Sequence, residues 1–560
     1  MHLRALFCAA AVAAFASAAS AASWEELVHA GSQSRDWLSY GGDLGQKRFA
    51  PNDEINTENV HKLRLKFIHQ SGVIGSYETT PLAENGILYF TTPYNHVFAV
   101  DARTGRELWH YEHKLGTTIF CCGPNNRGVA ISGNSLYMAT LDAMLIALDK
   151  RTGELLWETE DADPEFGYSQ TQAPVVYKDK VILGVSGAEY GIRGFISAYN
   201  KDTGELVWRW HTVPAPGEVQ PDGAKGWEGV FVEKADGINP LNRDIKAEKA
   251  AVASGQYADS WKRGGASMWM SASIDPDAGL IVATTGNPSP DLDGMVRPGD
   301  NRWSDSLVAI DADTGKMVWG YQYVPHDVWD LDAVSPPILA DVMGKGGERI
   351  PGVITGGKTG WTYVHDRKTG ELIRRSPPMV PHENLFALPT AEGTRMLPGA
   401  NGGVEWSPGA FNPQTRLVYF VNLHQPMHYI THSADWQKGK LWLGSAFVAI
   451  PGEQQWGNIT AVNVDTGQIA WQVKTEQPMI GGALATAGNL VFAGEGNGLF
   501  KAYDARDGRK LWQFQAGAGV NAAPMAFEVD GKMHIAVAAG GNFQLNFKRG
   551  DSLLVFALDE

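Results

Sequence analysis

The chain has 560 residues with 47 Lys and Arg against 62 Asp and Glu, a formal charge of −15 spread thinly along it. No basic block occurs, which argues against nucleic acid as a partner, and 44% hydrophobic with 19% charged residues excludes general disorder. Glycine (64) and tryptophan (19) are both abundant, a composition of many short strands and tight turns rather than of helical bundles.

The N-terminus reads as a secretory signal. His2 and Arg4 precede an apolar run over 5–15 and then small residues ending in Ala19-Ser20-Ala21, an A-x-A pattern, so segment 1–22 is expected to be cleaved near Ala21 or Ala22. Nothing later is long and apolar enough to span a bilayer, so residues 23–560 are expected as one soluble, exported, periplasmic domain. Cys8 leaves with the signal, and the remaining cysteines, Cys121 and Cys122, are adjacent. In an oxidising compartment they are expected to pair. Adjacent Cα atoms sit about 3.8 Å apart whereas ordinary disulfides want about 4.4–6.8 Å, so the bond would close a strained ring; the alternative is two buried thiols. No Cys-x-x-Cys-His is present, hence no c-type haem on this chain.

One pattern recurs: Asp or Asn, two variable residues, Thr-Gly, three residues, Trp. It starts at Asp101, Asp149, Asn200, Asp311 and Asn463; Asp504 carries Asp507 for Thr, and Asp366 ends in Arg374 where Trp is due. The acid caps a tight turn, glycine takes positive φ, and the Trp projects at a fixed place. A unit of about 40–50 residues with four short strands is a propeller blade. The fold class is therefore all-β, an eight-bladed β-propeller with tryptophan-docking repeats. The intervals Asn200–Asp311 and Asp366–Asn463 are about double the others, and degenerate copies are read near Asp275-Pro276 and Asn412-Pro413. Long insertions are expected over 214–265, with a helix at 245–257, and over 377–403 and 424–445; loops of such length are usually functional.

Four segments depart from the repeat: 118–128 with the cysteine pair, 185–191 around Glu189, 284–290 around Asn287, and 325–332 with Asp327, Asp330 and Asp332. Glu189, Asn287, Asp330 and Asp332 offer only oxygen donors, which suit a hard cation. Strand alternation would put Asp330 and Asp332 on one face, and Asp327 reads as a loop cap. Lys358 lies between apolar strand residues rather than on an obvious surface.

Cys121-Cys122, Gly187-Ala188-Glu189, Thr285-Gly286-Asn287-Pro288 and Trp329-Asp330 together resemble, in order and spacing, the pyrroloquinoline quinone (PQQ)-dependent alcohol dehydrogenases of the methanol/ethanol type, over essentially the whole chain after the signal. The resemblance implies a quinoprotein oxidising an alcohol to an aldehyde or ketone by hydride transfer to PQQ. Metal ligands would be Glu189 and Asn287, and the base Asp330. The resemblance also puts the cysteine ring and Trp269 on the two faces of PQQ, Glu78, Arg127, Thr171, Ser186, Gly187 and Ala188 at its rim, and Lys358 at the quinone oxygens. A cation beside Asp330 is expected to hold it ionised. Electrons would leave to a separate carrier, a periplasmic c-type cytochrome.

Three departures bear on metal and substrate. Asp332 is the extra carboxylate that marks lanthanide-using members, whereas Ca²⁺ users there carry a small neutral residue. Glu405-Trp406 stands where the group has Asn-Trp. Pro336-Pro337 is similar to sugar and polyol (sorbose-type) quinoproteins, which also carry Trp-Asp-x-Asp. The alternatives are thus a sugar or polyol dehydrogenase and, outside enzymes, a scaffold propeller that would need none of these residues.

Overall fold

A computed structural model describes residues 22–33, 35–227 and 229–559. The expected leader, with Cys8, thus lies outside the described residues up to Ala21. Among the described residues, eight sheets hold four or five strands, and all their pairings are antiparallel except a short fifth strand, Phe49–Ala50, that runs parallel to Ala483–Thr486. That fifth strand apart, seven of these sheets are built from strands consecutive in the chain or interrupted only by an insertion. The last closes the ring: Leu63–Gly75 joins Met525–Val529, Lys532–Ala539 and Gly550–Leu558 from the other end of the chain. Within a sheet, burial falls from the first strand to the fourth. Leu82–Glu84 is wholly buried, whereas Glu107–Glu112 alternates between exposed and half-buried positions.

The repeat has a precise steric content. Asp101 Oδ1 accepts from Arg103 N and Thr104 N, both at 3.0 Å, and closes the turn between the third and fourth strands. The turn glycine then lies against the tryptophan of the preceding sheet: a Cβ on Gly153 would come 2.5 Å from Trp109, on Gly315 2.6 Å from Trp208, and on Gly370 2.5 Å from Trp319. Positive φ and this approach both demand glycine. The indole N–H completes the joint, Trp109 donating to Lys150 O (3.0 Å), Trp208 to Ala312 O (3.1 Å) and Trp471 to Ala505 O (3.1 Å). Where the repeat carries Arg374, its guanidinium takes over the task and donates to Val464 O at 2.9 Å. At the closing sheet, Phe67 meets Gly105 in place of an indole.

The double-length intervals do not contain extra copies of this turn. Asp275-Pro276 and Asn412-Pro413 belong to the hairpin between first and second strands, Ser273–Asp275 with Leu280–Thr284 and Ala410–Asn412 with Leu417–His424. The added length is insertion. One insertion carries the helix Ile245–Ser254, three residues shorter than expected, because Gly255 at φ 72° caps it. The other two together form a separate three-stranded sheet, Thr394–Met396 from the first of them pairing with Met427–Thr431, and that with Ser445–Ala449. No helix among the described residues is long and apolar enough to cross a membrane.

Antiparallel pairing sets where chemistry can sit. The start of a first strand and the end of the second emerge at the same end of a sheet, and the Thr-Gly turns lie at the other. The singled-out segments all fall at the former positions. Thr171 precedes Val175–Tyr177 and Glu189 follows Lys180–Gly184; Asn287 follows Leu280–Thr284; Asp330 precedes Ile338–Met343 and Lys358 follows Arg349–Gly356.

Candidate active site

A cavity of about 290 Å³ opens at that end. It is lined by Cys121, Cys122, Arg127, Thr171, Ser186, Gly187, Glu189, Trp269, Asp330, Asp332 and Lys358, eleven of the residues singled out from the sequence. Three others stand just outside it. Glu78 is fully buried behind Arg127, its Oε2 2.6 Å from the guanidinium and its Oε1 accepting from Asn542 at 3.1 Å, so it anchors the arginine instead of meeting a rim itself. Ala188 is buried and its carbonyl accepts from Ser289 Oγ (2.7 Å). Asn287 is buried beside Asp332, its backbone N–H donating to Asp332 Oδ1 at 3.3 Å and its side-chain amide to Pro288 O at 3.2 Å.

Cys121 and Cys122 are disulfide-bonded, and their sulfurs lie with a Glu189 carboxylate oxygen within 4.8 Å of one another. Asp330 and Asp332 converge on one ammonium, Lys358 Nζ, at 3.0 and 3.4 Å. Strand alternation does not bring this about. Residues 329–334 are irregular, and Asp330 has φ 61°, so a bend turns both carboxylates to the same side. Asp327 holds that bend from behind, Oδ1 accepting from Trp329 N (2.8 Å) and Oδ2 from Leu331 N (2.9 Å). Cys122 and Glu405 also have positive φ, at 62° and 52°. Three such non-glycine residues at one cavity are backbone strain of the kind that gathers at functional sites. Asp332 Oδ2 also accepts from the Trp269 indole at 2.9 Å, and Gly286 lets the pair approach: a Cβ there would stand 2.7 Å from Asp332 Oδ2. Thr171 Oγ1 bridges Ser186 Oγ (3.1 Å) and Trp269 O (3.2 Å).

Five carboxylates (Glu189, Asp291, Asp330, Asp332 and Glu405) and two cations (Arg127 and Lys358) line the cavity, an excess of negative charge out of bulk water. Burial therefore pushes the Asp330 carboxyl well above the usual range; Lys358 opposes this but does not overcome it, and Asp332 and Asp291 add to it. Burial raises Glu189 as well, with Asp332 adding, and lifts Glu405 to about 7. Lys358 behaves oppositely. Burial favours its neutral amine, but Asp330, Asp332 and Glu405 together hold it charged well above its ordinary range.

The donor set fits a flat, carboxylated quinone with a hard cation. Flat surfaces come from the disulfide ring and Trp269, with the Arg127 guanidinium 5.2 Å from the Trp269 ring centroid and 4.6 Å from that of Trp406. The Arg127 Nε and Trp406 Nε1 groups are buried with no partner, donors left for an acceptor-rich ligand. The carboxylate excess suits a hard cation, which would replace the protons that burial otherwise favours.

Several lining residues were missed from the sequence: Asp291, Asn401 and Gln544, and the roof residues Leu441, Leu443 and Phe447. Leu441 and Leu443 belong to the insertion over 424–445, whose length was the available signal, and Phe447 follows in the strand Ser445–Ala449. The roof is tied down at the site itself, Trp442 N donating to Glu189 O (2.6 Å), Trp436 Nε1 to Tyr190 O (2.8 Å) and Leu292 N to Leu443 O (2.9 Å).

The family described as "PQQ: Glucose/ethanol/alcohol dehydrogenase, beta-propeller domain" matches residues 37–236, 242–376 and 378–535. The chain is 34% identical to the quinoprotein alcohol dehydrogenase PedH of Pseudomonas putida over 550 residues, covering 93% of this chain and 89% of that protein. It is 37% identical over 559 residues to the quinohemoprotein alcohol dehydrogenase ADH IIB of Pseudomonas putida, covering 94% and 78%. Among solved structures it is similar to a europium-containing methanol dehydrogenase (TM-score 0.83, 29% identity, 95% and 100% covered). It is also similar to the quinohemoprotein alcohol dehydrogenase of Comamonas testosteroni (TM-score 0.81, 31%, 95% and 82%).

Proposed function

The chain belongs to the family of PQQ-dependent alcohol dehydrogenases, and on that premise we propose that it oxidises an alcohol to an aldehyde or ketone with Asp330 as the base. The observation that carries the assignment is the pairing of Asp330 with Lys358 at 3.0 Å in a cavity shared with Glu189 and the disulfide.

When bound, PQQ supplies the orthoquinone that takes the carbinol hydride, and the cation supplies Lewis acidity. Glu189 and Asn287 would hold the cation through oxygen, joined by Asp330 and Asp332. Arg127, Thr171, Ser186 and Gly187 would bind the cofactor's rim, with Glu78 orienting Arg127 from behind and Ala188 shaping the turn. The Cys121–Cys122 ring and Trp269 would pack on its faces, and Lys358 would meet negative charge developing at its quinone oxygens. Asp330 accepts the hydroxyl proton at a carboxylate oxygen. Burial raises its pKa, and a cation held by the adjacent carboxylates would draw it down again. The surplus of five carboxylates over two cations favours a trivalent lanthanide over Ca²⁺, with Asp332 as the extra ligand. The europium-containing relative supports this reading. Export to the periplasm and electron transfer to a separate c-type cytochrome complete the proposal; they rest on the leader pattern of residues 2–21 and on the absence of a haem-attachment motif.

The test is reconstitution. Cofactor-free protein should be inactive, gain a quinone absorption band and turnover with PQQ plus La³⁺ and an artificial acceptor, and gain nothing from NAD. Undiminished turnover after exhaustive cofactor removal would refute the reading. For the metal, wild type should prefer La³⁺ to Ca²⁺ and Asp332→Ala should lose that preference; equal activity with Ca²⁺ in both, and no response to La³⁺, excludes the lanthanide.

A further inference from the structure

Asp291 stands apart from the other four carboxylates of the cavity. It lines the cavity, is only 2% exposed, and its Oδ1 is buried with no hydrogen-bond partner. An unpaired buried carboxyl oxygen is costly unless something meets it. The nearby arginine does not: Arg297 is turned onto backbone, donating through Nε to Pro290 O (3.0 Å) and through Nη2 to the carbonyls of Asp291 (3.2 Å) and Asp327, with Nη1 on Asn301 Oδ1 (2.6 Å). Lys358 is engaged by Asp330 and Asp332.

Its place in the chain puts Asp291 between two parts of the cavity. Four residues before it, Asn287 packs on Asp332; one residue after it, Leu292 N is bonded to Leu443 O of the roof (2.9 Å). The roof residues that line the cavity, Leu441, Leu443 and Phe447, are apolar and offer the substrate no side-chain hydrogen bond. Asp291 is thus an unpartnered polar group next to the roof, in the cavity that an alcohol bound at Asp330 would share with it and with Asn401 and Gln544.

We propose that Asp291 is a specificity-determining residue, accepting a hydrogen bond from a second hydroxyl of the substrate, so that the enzyme selects diols and polyols over monohydric alcohols of equal length. The inference rests on the alcohol dehydrogenase reading above and names its substrate class. A site built to bond a substrate hydroxyl discriminates strongly against the analogue lacking it, because the buried group is then left unpaired. An apolar pocket discriminates only weakly.

The experiment compares kcat/KM of the holoenzyme for propane-1,2-diol and propane-1,3-diol with that for propan-1-ol, in wild type, Asp291→Leu and Asp291→Ala. Two variants of different volume guard against a folding failure in one. Wild type is expected to prefer at least one diol by about tenfold or more. Both variants should lower that ratio about 10- to 100-fold while still oxidising propan-1-ol. Binding is read separately by calorimetry with pinacol, which has no carbinol hydrogen to give up: wild type should bind it and the variants should bind it about tenfold more weakly. A diol-to-propanol ratio unchanged within about twofold in folded variants overturns the inference alone. Loss of bound metal in both variants reassigns Asp291 to the ion and overturns it too. A wild-type holoenzyme that oxidises none of the three alcohols overturns the dehydrogenase reading and this inference with it.

Discussion

Asp330 and Asp327 lie three residues apart, both deep in the same bend, and the structure gives them different work. Asp330 Oδ1 faces Lys358 Nζ in the cavity, whereas both oxygens of Asp327 are taken by the backbone N–H groups of Trp329 and Leu331. Asp330→Asn keeps shape and removes the proton acceptor, so kcat should fall by about 10²–10⁴, or about 3–5 kcal/mol of barrier. Stability should change by only about 1 kcal/mol, because Lys358 retains Asp332 at 3.4 Å and the amide oxygen can still accept. Asp327→Asn presents an NH₂ to one of two buried N–H donors and should cost about 1–3 kcal/mol of stability, with a smaller loss of turnover that follows the loosened bend. The assay is turnover of holoenzyme with an artificial acceptor beside thermal denaturation of the same samples. The acid limb of the wild-type pH–rate profile should reflect deprotonation of Asp330 and should be absent from the residual activity of Asp330→Asn. A fully active Asp330→Asn together with a folded but inactive Asp327→Asn would reverse the two roles.

The remaining predictions concern the disulfide, Gly286 and Glu405. Unreduced protein should show no alkylatable thiol at Cys121 or Cys122 by mass spectrometry, and replacing both with Ala should lower turnover far more than Tm, because so short a ring removes almost no loop entropy. Gly286→Ala should fold yet bind metal and cofactor weakly, since its Cβ would stand 2.7 Å from Asp332 Oδ2 and 3.0 Å from Trp269 Nε1; unchanged binding by calorimetry would count against the Asp332–Trp269 contact. Burial lifts Glu405 from 4.5 in the unfolded chain to about 7. The native cofactor-free protein then holds more protons than the unfolded chain between those values, and stability falls as pH rises through that window, by at most about 1.4 kcal/mol per pH unit. Glu405→Gln, followed by urea denaturation from pH 4.5 to 7, should make the slope shallower by up to that amount, the other buried carboxylates keeping the rest.

The repeat was legible because its determinants are local. Asp101, Thr104, Gly105 and Trp109 sit within nine residues, and their turn chemistry does not depend on the rest of the chain. The residue types of the site were legible for the same reason, since Cys121-Cys122, Glu189, Asn287, Asp330 and Asp332 stand in short motifs with few structural alternatives. Spacing alone misread the doubled intervals, because an insertion and an added repeat lengthen a sequence alike. Only pairing showed that 214–265 and 377–403 lie between successive sheets and that 424–445 interrupts one, with no added repeat in any of them. Nor could the sequence tell that Arg374 does the work of an indole, that Glu78 stands behind Arg127, or that a bend rather than a strand aims Asp330 and Asp332 at Lys358. Each is a contact between segments that are not neighbours in the chain. Those segments meet because strands pair within a sheet, as Ile338–Met343 does with Arg349–Gly356, because successive sheets pack on one another, and because the roof folds back on Glu189 and Leu292. Local chemistry therefore determined the unit and the reactive groups. Strand pairing and the packing of sheets and roof determined which groups face one another, which are left unpaired, and thus how charge and proton affinity are distributed in the cavity.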